Sequence, residues 1–235
     1  MPTLNLKKFE FRQKVLAEND RVAAELRKTF EERGIAAFNL VSSPGSGKTS
    51  LLEHTLRELG DELNMALVAG DVQTDNDANR LIAAGGKRVR PIVTGGACHL
   101  EAHMIGNVMP EIDLDDVDIM FIENVGNLVC PSSYDLGEHQ KIALISTTEG
   151  DDKPLKYPGI FRRSSVMVIN KIDLAEYSDF SIERVRENAL SINPSLRIFE
   201  VSCRTGEGLD TWYDWLRGVV KGSEPLESLA IADAR

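Results

Sequence analysis

Eight residues narrow the folds open to this chain: Ser42-Ser-Pro-Gly-Ser-Gly-Lys-Thr49, set between the apolar run 37–41 and the helical pattern 50–59. Glycines in such a loop let successive backbone N–H groups converge on phosphate oxygens at a helix N-terminus. Pro44, Gly45, Ser46 and Gly47 are the predicted cradle, completed by Ser50. Lys48 is placed to reach the β- and γ-phosphates, and the Thr49 hydroxyl to ligate Mg²⁺. Ser42 stands where the usual pattern has Gly.

A strand, phosphate loop and helix in that order belong to an α/β sheet, and the rest of the chain agrees. Short apolar runs at 37–41, 65–69, 89–93, 118–122, 142–145, 166–169 and 198–201 alternate with helical patterns. Near-continuous apolar strands separated by helices predict a mostly parallel P-loop sheet with helices on both faces. Before it, Phe11, Val15, Leu16, Val22, Leu26 and Phe30 recur at roughly helical spacing, and Gly34 is the expected stop. The expected organisation is an N-terminal helical extension at 1–35, one nucleotide-binding domain at 36–221 with an inserted metal site, and a loose polar tail at 222–235. A chain of 235 residues with 42% apolar content can bury such a core without cross-links.

Four further segments define the nucleotide site. Glu123 and Gly126 follow the 118–122 run: the carboxylate would act on Mg²⁺ or its water, and the Gly126 N–H would meet the γ-phosphate. Asp71, at the end of the 65–69 run, is a second candidate for Mg²⁺ or the attacking water, with a turn-capping role as the alternative. The predicted catalytic set is therefore Lys48, Asp71 and Glu123. Asn170, Lys171 and Asp173 form Asn-Lys-x-Asp, and the Asp carboxylate accepts from guanine N1–H and the 2-amino group, donors that adenine lacks. Ser202 and Cys203 follow the last apolar run, where a loop would cover the guanine O6. GTP or GDP with Mg²⁺ is the expected ligand. Because no Gln follows Gly126 to orient water, intrinsic hydrolysis is expected to be slow.

The chain carries 3 Cys and 4 His. Cys98, His99 and His103 lie in one segment, expected to open a helix with Cys98 in its first turn and the two imidazoles on one face. Cys130 lies four residues beyond Gly126. Thiolates with imidazoles suit Zn²⁺ or Ni²⁺, so Cys98, His99, Cys130 and His103 are the candidate ligands. The two thiols could equally come from two chains across a two-fold axis. Cys203, His54 and His139 are expected to be buried packing or surface residues, and Lys153 and Lys156 to belong to a solvated loop. An odd thiol count implies a reducing compartment. A charged N-terminal stretch and the lack of any run near the about 18 apolar residues of a membrane span predict a cytoplasmic protein with no membrane partner. A net charge of -10 without a basic tract argues against duplex nucleic acid.

Together these residues resemble the nickel-incorporation GTPases of hydrogenase maturation, the HypB family, from about residue 36 to 215. The likeness rests on Pro44-Gly-Ser-Gly-Lys-Thr49, Ala69-Gly-Asp71, Cys98-His99 with His103, Phe121-Ile-Glu-Asn-Val-Gly-Asn-Leu-Val-Cys-Pro131, Ser146-Thr-Thr-Glu-Gly-Asp-Asp152 and Asn170-Lys-Ile-Asp-Leu174. It implies a metal-binding GTPase that dimerises on binding GTP. By the same likeness it helps load Ni²⁺ into a hydrogenase large subunit alongside other nickel-delivery proteins, and Cys98, His99 and Cys130 hold Ni²⁺ or Zn²⁺. Some members carry an N-terminal Cys-x-x-Cys-x-Cys motif or His-rich tract; residues 1–35 here have neither Cys nor His, which implies no independent nickel store in that segment. Related urease accessory GTPases have Cys-Pro-His in place of Cys-His, so the spacing favours the hydrogenase branch. The alternatives are an accessory GTPase for another metalloenzyme such as urease, a P-loop small-molecule kinase, and a regulatory GTPase with structural cysteines.

Overall fold

The computed structural model describes residues 3–226, with side chains described from residue 13 onward. Seven strands run β1 Ala36–Ser42, β2 Met65–Asp71, β3 Arg88–Val93, β4 Ile119–Glu123, β5 Gln140–Ser146, β6 Val166–Asn170 and β7 Arg197–Glu200. The helices are α1 Thr3–Arg33, α2 Lys48–Leu59, α3 Asn76–Ala83, α4 Ala102–Val108, α5 Lys153–Lys156, α6 Pro158–Arg163, α7 Ile182–Ile192 and α8 Leu209–Val220. Every predicted strand is present, displaced by at most two residues at its ends. The sheet is wholly parallel in the order β3-β2-β4-β1-β5-β6-β7. β1 and β4 are adjacent at the centre, with Leu40 in register with Glu123. The phosphate loop and Glu123 therefore leave the same carboxyl edge side by side, at the point where the winding reverses, which is where ligands of open α/β sheets bind.

Alternation along β1 assigns the two faces. Phe38 and Leu40 point to the layer of α2 and α8, where Phe121, Trp212 and Trp215 complete an aromatic cluster with ring centroids 5.1–5.7 Å apart. The buried Trp212 indole donates to Thr55 Oγ1 at 3.0 Å, so its polar atom is satisfied. Ala37 points to the opposite layer, where Leu26 and Phe30 of α1 pack with Ile105 of α4. α1 ends as expected, with Gly34 at φ 68°. Among its described side chains Val15 and Leu16 are half-buried and Asn19 is buried, and the Phe11 side chain lies outside the described residues. Phe30, fully buried beneath the sheet, is the anchor. Phe30→Ala is expected to cost about 3–5 kcal/mol of unfolding free energy, measured by denaturant titration; a loss below about 1 kcal/mol would mean that α1 is not part of the cooperative unit.

The segment expected as a loose tail is held where the structure describes it. Pro225 O accepts from Gln140 Nε2 at 3.2 Å, Glu224 pairs with Arg197 at 2.8 Å, and Leu226 packs against the core. Residues 227–235 lie outside the described residues. Among the described residues no helix is long and apolar enough to cross a membrane.

Candidate nucleotide and metal sites

A cleft of about 730 Å³ opens at the carboxyl edge, lined by the phosphate loop, Asp71, Glu123, Gly126, Asn170, Asp173 and Cys203. α2 starts at the loop through Gly47, whose φ of 105° is open to glycine and costly for other residues. A Cβ there would also fall 2.2 Å from Asn170 Nδ2, because that amide closes on the loop by donating to Ser46 O at 2.9 Å. Lys171, itself at φ 62°, donates from Nζ to Gly45 O at 2.7 Å. The Asn-Lys pair thus braces the phosphate loop, and Asp173 faces the cleft with Oδ1 accepting from Ser202 Oγ at 2.6 Å. Cys203 N donates to Asn170 Oδ1 at 3.2 Å, and burial pushes the Cys203 thiol up to about 11. That thiol stays protonated and serves packing. His139 is likewise a packing residue, its Nδ1 accepting from Ala37 N at 3.0 Å.

Lys48 lies buried with Nζ 3.0 Å from Ser42 Oγ, and burial lowers its pKa against the pull of Glu123. Thr49 Oγ1 donates to Glu123 Oε1 at 2.7 Å. Burial raises Glu123 to about 7, with Lys48 opposing, and Glu123 Oε2 is buried without a hydrogen-bond partner. An orphaned carboxylate oxygen beside a threonine hydroxyl fits a Mg²⁺ ion or its water, hard oxygen donors being what that cation takes. Asp71 accepts from Gln73 N and Thr74 N at 2.8 and 3.0 Å, which lowers its pKa, so it caps its turn and lines the cleft at once.

Lys153 departs from the solvated-loop expectation. It opens α5 with its side chain only 20% exposed, its Nζ 3.0 Å from Glu149 and 3.1 Å from Ser43 Oγ in the phosphate loop. Glu149 also accepts from Ser46 Oγ at 2.6 Å. Glu149 and Lys153 stand four apart, but no local sequence signal marks their meeting with Ser46, about a hundred positions earlier. Lys156 is exposed and paired with Asp152, as a solvated residue should be.

Cys98, His99 and Cys130 converge, their ligand atoms all within 4.8 Å of one another. The two sulfurs lie 3.1 Å apart, well beyond the about 2.05 Å of a disulfide bond, and Cys98 Sγ is 3.7 Å from His99 Nδ1. One chain brings all three donors together. Two expectations for this segment are corrected. Cys98 and His99 occupy the bend before α4, not its first turn, and α4 starts only at Ala102. The cause is tertiary: Leu100 is fully buried with its N–H on Asn124 Oδ1, Glu101 is extended at φ −118°, and the Ala102 N–H is capped by Asn19 Oδ1 at 2.8 Å.

His103 is the second correction. It is absent from the converging group and touches Glu101 Oε2 at 3.3 Å through Nδ1. Glu101 Oε1 in turn lies 3.5 Å from His99 Nε2, a buried nitrogen with no hydrogen-bond partner. An ion on His99 Nδ1 would leave the proton on Nε2, facing that carboxylate, the usual arrangement behind a metal-bound imidazole. The Tyr134 ring packs against His99 with centroids 4.0 Å apart and planes tilted by 33°. Burial holds the imidazole below its usual range with Glu101 opposing, which favours the neutral, ligating form. Soft sulfur donors, a neutral imidazole and a waiting proton acceptor fit Ni²⁺ or Zn²⁺.

The family described as CobW/HypB/UreG, nucleotide-binding domain, matches residues 36–200. The chain is 50% identical over 202 residues to the hydrogenase maturation factor HypB of Escherichia coli K12, covering 86% of this chain and 69% of that protein. It is 42% identical over 207 residues to the probable hydrogenase maturation factor HypB of Methanocaldococcus jannaschii, covering 88% and 93%. The crystal structure of HypB from Helicobacter pylori in complex with nickel superposes with a TM-score of 0.81 at 39% identity, over 90% of this chain and all of that one.

Proposed function

The chain belongs to the CobW/HypB/UreG family and, within it, to the HypB hydrogenase maturation factors, and from that membership we propose that it is a metal-binding GTPase whose hydrolysis of GTP drives nickel insertion into a nickel-iron hydrogenase. The observation that carries this reading is the shortness of the path between its two sites. A Cβ on Gly126 would lie 3.0 Å from Pro44 of the phosphate loop, and Cys130 on the same loop has its sulfur 3.1 Å from Cys98. Whatever moves Gly126 on loss of the γ-phosphate acts within four residues of a metal ligand.

In this reading residues 36–221 form the GTPase unit and 1–35 an extension. Lys48 binds the β- and γ-phosphates, the loop from Pro44 to Ser50 cradles them, and Gly126 N–H contacts the γ-phosphate. Thr49 and Glu123 hold Mg²⁺ or its water, with Asp71 at the cleft wall available to the attacking water. Bound Mg²⁺ would neutralise charge developing on the transferred phosphoryl group. Asn170, Lys171 and Asp173, closed by Ser202 and Cys203, select guanine. Cys98, His99 and Cys130 hold nickel as cargo, and three protein ligands leave a coordination position through which the ion can be received and passed on. A GTP-promoted homodimer, the hydrogenase large subunit and other nickel-delivery proteins are the partners this reading requires.

Purified protein should release phosphate from GTP with no added acceptor, at a rate on the order of 10⁻³ s⁻¹, since no Gln follows Gly126 to orient water. Equal turnover of ATP would overturn the guanine selection, and phosphoryl transfer that waits on a small-molecule acceptor would overturn the GTPase reading in favour of a kinase.

A further inference from the structure

We infer that Asn124 and Asn127 are positioning residues that carry the state of the Gly126 loop into the Cys98 and His99 half of the metal site. This inference rests on the nucleotide-coupled function proposed above. The covalent path from Gly126 reaches Cys130 alone; Cys98 and His99 enter the site from a segment that follows β3, and a change felt only by Cys130 would reach one ligand of three.

The two asparagines flank Gly126, and each makes one bond to its own loop and one across to the other segment. Asn127 Oδ1 accepts from Val129 N at 2.9 Å while its Nδ2 donates to Cys98 O at 3.2 Å. Asn124 Oδ1 accepts from Val125 N at 2.9 Å and from Leu100 N at 3.1 Å. The carbonyl of Cys98 and the amide of Leu100, which bracket His99, are thus both gripped by the loop that abuts the phosphate site.

The two grips differ in stiffness. Asn124 is 1% exposed and its Nδ2 donates to Asn39 Oδ1 on β1 at 3.2 Å; Asn39 Nδ2 continues to Glu138 Oε1 at 3.1 Å, and Glu138 pairs with Lys141 at 2.8 Å. Buried polar groups satisfied at every position are costly to displace, since each lost bond strands a partner. The Leu100 side chain is also wedged, for a Cβ on Gly70 would come within 2.7 Å of its Cδ1. Asn124 and Leu100 therefore form a fixed post. Asn127 is half-buried and beyond this network, so it is the arm that travels with Gly126. Movement of the arm against the post turns the Cys98 carbonyl about an anchored Leu100 and alters the approach of Cys98 Sγ and His99 Nδ1 to Cys130.

Asn127→Asp separates the two bonds: its carboxylate still accepts from Val129 N but offers no N–H to Cys98 O. Asn127→Ala adds no charge beside the ion and serves as the second variant should the first fold poorly. The measurement is Ni²⁺ affinity, by chelator competition, of the GDP and GTP-analogue forms of wild type and both variants, with nucleotide affinity measured alongside. Coupling of ordinary size makes the wild-type ratio of the two Ni²⁺ constants about 5 to 150. The clamp requires that ratio to fall well below the wild-type value in both variants while nucleotide still binds, the covalent path to Cys130 accounting for what remains. Variants that keep the wild-type ratio would overturn the clamp and leave coupling to the covalent loop alone. A wild-type ratio of one would overturn the coupled function itself, and the clamp with it.

Discussion

Asp173→Asn is expected to weaken GTP binding at least about a hundredfold and to create binding of xanthosine triphosphate. In the structure Asp173 Oδ1 is occupied by the Ser202 hydroxyl at 2.6 Å, which fixes the carboxylate and leaves its other oxygen to the base. Guanine presents two donors on that edge, N1–H and the 2-amino group. The Asn substitution can keep the Ser202 bond but turns the free oxygen into an NH₂ donor, so one guanine donor loses its acceptor and meets another donor. Leaving a buried polar group unmet, with a charged acceptor lost, costs about 3 kcal/mol, or two decades in affinity. Xanthine carries a 2-oxo group in place of the amine and pairs with that new NH₂. Equilibrium titration with both triphosphates checks the expectation; unchanged GTP affinity would mean that the base does not sit on Asp173.

Cys98→Ala and Cys130→Ala are each expected to lower Ni²⁺ affinity by at least about a hundredfold. Outer groups that merely orient a ligand are worth about ten- to a hundredfold, and a lost thiolate removes a ligand outright. His99→Ala should follow the same pattern, because its Nδ1 is the third donor of the converging group. His103→Ala should change affinity by less than about threefold, since that ring stands outside the converging group and pairs with Glu101. Chelator competition on the four variants separates these expectations: a His103 effect as large as that of Cys130 would restore it to the ligand set. Loss of metal binding should leave the nucleotide cleft intact, as no ligand braces the phosphate loop.

What could be read from the sequence follows from where the determining interactions lie. The phosphate loop, Glu123 and the Asn-Lys-x-Asp segment were legible because each is a short backbone motif at a strand end, and the parallel sheet places all strand ends on one edge. The strands were legible because a sheet covered on both faces demands continuous apolar runs. The start of α4 was not. Helical spacing from Cys98 onward is real, but Asn19, 83 residues earlier, caps Ala102, and Asn124 Oδ1 takes the Leu100 N–H. Propensity lost there to two distant amides. The roles of Glu101, Tyr134 and Asn127 beside the metal group were equally hidden, because a carboxylate, a phenol and an amide gain those meanings only once the loops after β3 and β4 meet. Lys153 shows the converse, a residue that composition assigns to solvent and that tertiary packing brings to the phosphate loop.

The central claim is that one loop serves two sites, so that the nucleotide sets how tightly the metal is held. The Ni²⁺ dissociation constant of the wild-type chain, measured once with GDP and once with a non-hydrolysable GTP analogue, tests it most directly. A difference of about five- to a hundred-and-fifty-fold between the two is expected; equal constants would mean that the Gly126 loop does not connect the sites and that hydrolysis does not drive transfer of the ion.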